Sequence, residues 1–277
     1  MFIGIDIGGT HTRVAHGGEG KFSDKFDFPT TTLEETLGKI KEAIDSYKGK
    51  EFKAVGVSIA GPFNYREQIF KKPPNLHESW DNQRLPEIFS KETNIPTFVA
   101  HDASVAALGE AIHGSGKGKN PVLYYTVSTG IGSGLINNGK IFHGIYNPEA
   151  GHQVFSKDCD LCDCGQVGDL ESKASGKALK KMTGKEPRDV EGTDIWEEAM
   201  EWIALGIANS IIHFSPEVVV VGGGMTKHGN IFFEPVNRNI AKYLKFVPNV
   251  PIVPSGLGQD NGIIGALELA RISSENG

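Results

Sequence analysis

The residues most able to do chemistry lie together in one short segment. His152 is followed ten residues later by Cys162 and then by Cys164, with Asp169 five residues further on. Imidazole, thiolate and carboxylate groups are the ligands that zinc takes in a tetrahedral site, so this spacing predicts a zinc ion that holds a loop in shape. Cys159 is a competing fourth ligand, and a degraded site without metal is the remaining alternative.

Two turns rich in glycine and threonine could bind phosphate. The first phosphate turn contains Gly8, Gly9 and Thr10, and the second, residues 128–132, includes Thr129 and Gly130. Glycine lets backbone N–H groups approach an anion closely, and a hydroxyl adds a further donor. Neither turn is a Walker loop or a Rossmann fingerprint, because no GK[ST] follows and a strand comes next in both cases. A pair of ordinary hairpin turns is the alternative.

Two aspartates stand beside these turns. Asp6 ends the first strand, where it could help to hold Mg²⁺ or could simply brace the turn. Asp102 lies between a strand and a helix, where aspartate is a good N-cap. It could also accept the proton of an attacking hydroxyl, which is the role of the base in phosphoryl transfer.

The pattern of strands and helices repeats in two halves of the chain. For the first half we predict strands at 2–7, 12–15, 53–59 and 96–100 and helices at 33–48, 84–92 and 103–113. For the second we predict strands at 121–127, 135–141 and 217–221 and helices at 193–213 and 262–272. Thr31 or Thr32 is expected to cap the first helix. Two α/β domains with a cleft between them are therefore expected, at residues 1–115 and 116–277, joined by a flexible segment at 114–120.

Composition narrows the class of protein. The 277 residues carry a formal net charge of -6, which gives no support to a nucleic-acid or membrane surface. The sequence has no run of about 18 apolar residues and no signal peptide at its start. Three clustered cysteines suit a reduced metal site better than a disulfide framework, so we expect a cytoplasmic protein.

These motifs, taken in order, resemble the ROK family of sugar kinases and repressors. Residues 5–13 resemble its first phosphate motif, and 60–62 with 74–76 resemble its sugar loops. Residues 101–110 resemble the motif of the catalytic aspartate, and 129–134 the second phosphate motif. Residues 149–152 with 162–171 resemble the zinc and sugar signature, and 222–224 with 258–265 the adenosine-side and C-terminal motifs.

The resemblance implies a role for each matching residue. Asp102 would be the general base, and Zn²⁺ would be bound by His152, Cys162, Cys164 and Asp169, or by Cys159 in place of Asp169. The expected sugar contacts are Gly61, Asn75, His101, Glu149, His152 and Glu171. The expected contacts to ATP and Mg²⁺ are Asp6, Gly8, Gly9, Thr10, Thr129, Gly130, Gly223 and Gly224.

The resemblance also implies a fold and an activity. The fold would be the two-domain actin-like (ribonuclease H-like) ATPase fold, with the last helix, about 262–277, able to pack back on the first domain. The activity would be an ATP-dependent hexose kinase, with glucose O6 as the first candidate acceptor. An N-acetylhexosamine kinase, a fructokinase and a catalytically silent sugar sensor stay open. A homodimer is common in the family. No helix-turn-helix is expected, because the first phosphate strand follows Met1 at once.

Two positions depart from the family pattern. His101 stands where an asparagine usually precedes the catalytic aspartate, which leaves the identity of the sugar open. Asp169 stands in place of the last cysteine of the zinc motif, and zinc accepts a carboxylate at such a position.

Overall fold

Strands and helices alternate along the chain in the computed structural model, which describes residues 1–71, 73, 75–157 and 161–275. The strands of this part are β1 (Phe2–Ile7), β2 (His11–Gly18), β3 (Lys21–Pro29), β4 (Ala54–Ile59), β5 (Phe63–Asn64), β6 (Ile69–Phe70), β7 (Thr97–His101), β8 (Val122–Val127), β9 (Ile131–Asn137), β10 (Lys140–Ile141), β11 (Val218–Gly222) and β12 (Ile252–Pro254). Its α-helices are α1 (Leu33–Ser46), α2 (Leu85–Thr93), α3 (Asp102–His113), α4 (Leu170–Ala174), α5 (Gly176–Thr183), α6 (Asp194–Phe214), α7 (Asn230–Tyr243) and α8 (Asn261–Glu275). Among these helices, none has both the length and the apolar character needed to cross a bilayer.

The two large sheets have the same topology. The strand order is β3-β2-β1-β4-β7 in the first sheet and β10-β9-β8-β11-β12 in the second. In each sheet the first two neighbouring pairs are antiparallel and the last two are parallel. This duplication confirms the repeated α/β pattern expected from the sequence.

The central strands are mostly apolar, as expected of strands that helices cover on both faces. All six residues of β4 and all five of β11 are buried. Parallel strands covered on both faces show this pattern, whereas an edge strand keeps polar residues. The edge strand β3 is mostly exposed, and its sequence KFSDKFDFP was not predicted as a strand.

Of two predictions about where elements begin and end, one is confirmed and one is wrong. Thr32 caps α1, as predicted, by accepting a hydrogen bond from the backbone of Glu35 at 3.3 Å. The prediction of one strand over 135–141 is wrong, because the chain turns at Asn138 and Gly139. These two residues have φ angles of 52° and 71°, and an Asn-Gly pair favours such a two-residue hairpin turn.

A buried carboxylate contacts the start of segment 114–120, which was predicted to be flexible. Glu110, in α3, has no exposed surface and accepts a hydrogen bond from the Ser115 backbone at 3.0 Å. The same carboxylate accepts hydrogen bonds from the backbones of Gly256 and Leu257, each at 3.0 Å. The segment between the sheets is therefore tied both to α3 and to the loop before α8.

Two helices lie between the sheets, each on the sheet of the other half of the chain. Helix α8, at the end of the chain, packs on β1 and β4, while α3 packs on β8 and β9. The two helices also pack against each other. We propose that the sheets correspond to two domains divided near residue 115. Helix α3 belongs to the first domain by sequence but packs on the second sheet, and α8 belongs to the second domain but packs on the first sheet.

Glycines allow this close packing. A β-carbon on Gly56 of β4 would lie 1.8 Å from the carbonyl oxygen of Ala266 in α8. A β-carbon on Gly265 of α8 would lie 1.9 Å from the carbonyl oxygen of Val105 in α3. Real β-carbons do not approach backbone oxygens so closely, so any side chain here would push the backbones apart.

We expect Gly56→Ala to lower the free energy of unfolding by about 2 kcal/mol or more, because the added methyl group forces α8 away from the sheet. Urea denaturation followed by circular dichroism measures the change. The matched control is Gly38→Ala in α1, where the methyl group would meet nothing within 4 Å. That control should be neutral or stabilising by about 1 kcal/mol. Equal stability of the Gly56→Ala protein and the wild type would contradict the packing described.

Candidate functional site

The predicted site residues gather at the carboxyl ends of strands in both sheets. Asp6 lies near the end of β1, and Asp102 follows β7 as the first residue of α3. Thr129 follows β8, and Gly223 follows β11. Ligands of open α/β sheets bind outside these strand ends, where loops present polar groups.

Asp6 is a carboxylate whose charge is incompletely compensated. Ser58 Oγ donates to its Oδ1 at 2.9 Å, and the Arg13 guanidinium lies 3.6 Å from its Oδ2. A β-carbon on Gly262, in the first turn of α8, would lie 2.7 Å from the Asp6 carboxyl carbon. Desolvation, with a smaller contribution from the nearby charge of Asp102, raises the pKa of Asp6 to about 6 against the lowering effects of Ser58 and Arg13. A cation beside Asp6 would favour its ionised form.

Asp102 presents an accessible carboxylate at the start of α3. Its side chain is 42% exposed, and its Oδ1 accepts a hydrogen bond from the Ala103 backbone at 2.6 Å. The N-cap position of α3 is occupied by His101, so the N-cap alternative for Asp102 is wrong. The carboxylate is therefore free to accept a proton from a ligand.

His101 is buried between two carboxylates. Its Nε2 lies 3.1 Å from Asp102 Oδ1 and 3.9 Å from Glu149 Oε1, and the residue is 4% exposed. Glu149 Oε1 also accepts a hydrogen bond from Asn147 at 2.7 Å. A proton on His101 Nε2 can be shared with Asp102 and so fix the orientation of that carboxylate.

The first phosphate turn lies against one of the predicted sugar loops. A β-carbon on Gly9 would lie 2.6 Å from Asn75 Cβ, so only glycine allows this approach. Gly61, in the other sugar loop, has a φ of 123°, and its β-carbon would lie 3.0 Å from Pro73. The two sugar loops therefore meet beside the turn. Pro74, the first residue of the loop at 74–76, lies outside the described residues.

Glu171 contacts the second phosphate turn. Its Oε2 accepts a hydrogen bond from the Ile131 backbone at 2.7 Å. A β-carbon on Gly130 would lie 2.5 Å from the same oxygen, so this glycine makes room for the carboxylate. Glu171 was predicted only as a sugar contact, and the hydrogen bond to the turn is an additional role.

The glycines predicted to lie near the nucleoside adjoin the same turn. Gly223 has a φ of 99°, and its β-carbon would lie 2.4 Å from the carbonyl oxygen of Val127. A β-carbon on Gly224 would lie 3.2 Å from Ser128 Oγ. The ends of β8 and β11 therefore form one continuous glycine-lined surface.

The predicted metal ligands come together in space. One ligand atom from each of His152, Cys162, Cys164 and Asp169 lies within 4.8 Å of all the others. Cys164 Sγ is 3.5 Å from His152 Nδ1 and 3.6 Å from Asp169 Oδ2. An ion about 2.0–2.3 Å from each atom fits such a cluster. Cys159, the alternative ligand, lies outside the described residues.

The pKa values of two groups in this cluster shift in opposite directions. Burial raises the pKa of the Cys162 thiol, the opposite of what a thiolate ligand requires without a metal. Burial also acts to raise the pKa of Asp169, but hydrogen bonds from His152 and the Ser172 backbone outweigh it and lower this pKa. A bound metal would complete the deprotonation of the thiols.

Comparison with known proteins decides the family. The model of the ROK family matches residues 2–272. The chain belongs to the ROK family. A glucokinase of Streptomyces coelicolor is 30% identical to this ROK protein and covers 98% of both chains. A fructokinase of Pediococcus pentosaceus is 31% identical and covers 100% of both chains.

Solved structures agree with the fold of this ROK protein. A ROK hexokinase from Thermus thermophilus has a TM-score of 0.91 and 27% identity, covering 100% of this chain and 99% of that one. A ROK glucokinase from Streptomyces griseus, in complex with glucose and AMPPNP, has a TM-score of 0.83 and 28% identity over 98% and 99% of the two chains. The predicted actin-like α/β fold is confirmed, and the protein is a ROK sugar kinase.

One neighbour of the site in this ROK sugar kinase was missed by reading the sequence. Ser58 is fully buried and stands opposite Asp6 in the pairing of β4 with β1. A polar residue near the end of an otherwise apolar strand was the available signal, and the register between the two strands was needed to use it.

The raised pKa of Asp6 has a consequence for stability. The unfolded chain loses this proton near pH 3.8 and the folded chain near pH 6, so ionisation favours unfolding. The loss of stability therefore begins at about pH 4 and is complete above about pH 6. We expect Asp6→Asn to raise the melting temperature at pH 8, without Mg²⁺ or nucleotide, and to change it little at pH 4.

Thermal melts of both proteins between pH 4 and 8 measure this difference. Asp27→Asn is the matched control, because a hydrogen bond from His11 lowers the pKa of the exposed Asp27, and its removal should bring no gain at pH 8. An Asp6→Asn protein less stable than the wild type at pH 8 would contradict the assignment.

Proposed function

We propose that this ROK sugar kinase transfers the γ-phosphoryl group of Mg-ATP to a hexose hydroxyl, with glucose O6 as the acceptor. The observation that carries the proposal is the accessible carboxylate of Asp102, oriented by buried His101 beside Asp6 and the two phosphate turns. The 30% identity to a glucokinase supports glucose as the sugar.

Asp102 acts as the general base. Its carboxylate accepts the proton of the sugar hydroxyl as that oxygen attacks the γ-phosphorus and the bond to the ADP oxygen breaks. His101 Nε2 lies 3.1 Å from Asp102 Oδ1, and an ion pair between them would keep the carboxylate turned toward the hydroxyl. Catalysis in phosphoryl transfer comes mostly from position and charge, so a base held in one orientation is sufficient.

Binding of the sugar and of the phosphates is assigned to separate groups. The sugar hydroxyls would contact the Gly61 backbone and the side chains of Asn75, Glu149, His152 and Glu171. The phosphates would lie between Gly8, Gly9 and Thr10 on one side and Thr129 and Gly130 on the other, with Gly223 and Gly224 near the nucleoside. Asp6 would face Mg²⁺, which neutralises charge on the phosphate oxygens.

Fructose is the second candidate acceptor. It is favoured by the fructokinase that is 31% identical to the protein over the full length of both chains. His101 lies beside the sugar-binding carboxylate Glu149, where it would shape the pocket for either sugar.

We expect glucose-dependent release of ADP in a coupled assay with Mg-ATP, and a loss of at least about 100-fold in kcat for Asp102→Asn, because a positioned base contributes that much. Glucose binding to the variant, measured by calorimetry, should persist. Asp45→Asn, an exposed aspartate of α1, is the matched control and should keep wild-type turnover. No sugar-dependent ADP release with glucose, fructose, mannose or N-acetylmannosamine would contradict the proposal.

We also propose that His152, Cys162, Cys164 and Asp169 bind one structural Zn²⁺. The proposal is supported by the proximity of their four ligand atoms, which all lie within 4.8 Å of one another. When bound, zinc would cross-link the loop that carries His152 to the segment that carries Asp169.

We expect about one zinc per chain in the purified protein, measured by inductively coupled plasma mass spectrometry, because four ligands form a closed site. Cys164→Ser should lose most of it, and Cys159→Ser should retain it. Loss of zinc from Cys159→Ser, with retention in Asp169→Ala, would show instead that Cys159 is the fourth ligand.

A further inference from the structure

The segment after the cysteine loop holds the second phosphate turn in place. The backbone N–H groups of Gly176 and Lys177 donate to the carbonyl oxygens of Ser128 and Thr129, at 2.8 and 3.1 Å. Two carbonyls of the turn are therefore fixed by the start of α5.

Glu171 provides a third and charged contact in the same place. Its Oε2 accepts the Ile131 N–H at 2.7 Å, where Gly130 leaves room for it. A hydrogen bond to an ionised carboxylate is stronger than one between neutral groups. Glu171 is partly buried, so water competes less for the bond than at an open surface.

The same segment begins inside the metal cluster. Asp169 Oδ1 caps α4 by accepting the Ser172 N–H at 2.8 Å, while Oδ2 lies 2.8 Å from His152 Nδ1. Glu171 Oε1 lies 3.8 Å from Cys162 Sγ. One turn of helix therefore joins the candidate zinc ligands to the phosphate turn.

We propose that Glu171 is a positioning residue for nucleotide binding, and that it couples occupancy of the metal cluster to the affinity of the second phosphate turn. The inference rests on the proposed function, because it takes the turn as a phosphate site. A metal ion bound to Asp169 would fix the start of α4. The fixed helix would hold Glu171 in place, and Glu171 would hold the second phosphate turn in the conformation that binds nucleotide. By thermodynamic linkage, nucleotide must strengthen zinc binding by the same factor.

Calorimetric titration with Mg-AMPPNP, without sugar, tests the coupling. For the wild type we expect zinc-loaded protein to bind Mg-AMPPNP about tenfold more tightly than chelator-treated protein, within the usual range of such couplings. A chromophoric chelator should report an equal gain in zinc affinity when Mg-AMPPNP is added. Circular dichroism and a thermal melt confirm that the zinc-free protein is folded.

Two substitutions separate positioning from a general structural effect. Glu171→Ala removes the acceptor, so the zinc-loaded variant should bind Mg-AMPPNP about tenfold more weakly and lose most of the dependence on zinc. Glu171→Gln keeps an acceptor oxygen for the Ile131 N–H and should stay within about threefold of the wild type. Glu234→Ala, on the exposed face of α7, is the matched control.

The outcomes distinguish this inference from the proposed function. Binding of Mg-AMPPNP with equal affinity to zinc-loaded and zinc-free wild type, or to wild type and Glu171→Ala, overturns the coupling and leaves the kinase proposal standing. Failure of every form to bind Mg-AMPPNP overturns both. A tenfold coupling that Glu171→Ala abolishes and Glu171→Gln keeps supports the inference.

Discussion

The close approach of α8 to the first sheet and to α3 is the constraint on which the rest of the structure depends. Gly4 and Gly56 leave space on the sheet for the backbone of α8, and Gly109 and Gly265 do the same between the two helices. A side chain at any of these positions would push the layers apart. A close-packed core cannot accommodate that displacement unless the backbones move. This pair of helices therefore connects the two sheets.

The same packing sets the geometry of the site. Asp102 begins α3, and the start of α8 lies against Asp6, so both carboxylates are placed by the helices between the sheets. Glu110 adds a buried anchor that ties α3 to the loop before α8. Movement of one half relative to the other would therefore change the distance between Asp102, the proposed base, and the proposed phosphate turns, as expected of an enzyme that closes on its substrate.

The sequence predicted those parts of the site whose chemistry is local. The cluster of His152, Cys162, Cys164 and Asp169, the glycine turns and Asp102 could be picked out from residue type and spacing, as could the central strands, which are mostly apolar. The contacts of Ser58 with Asp6 and of Glu171 with Ile131 could not, because they depend on strand register and on the path of a loop. The edge strand β3 was missed for a similar reason, since its exposed face removes the hydrophobic signal.

The most direct test of this account is a crystal structure of the protein with glucose and AMPPNP bound. We predict the Asp102 carboxylate at about 2.6–3.2 Å from glucose O6, the reach of a general base. We also predict the γ-phosphate between the two phosphate turns, with O6 in line with it. Glucose bound away from Asp102, or a triphosphate that contacts neither turn, would contradict the account.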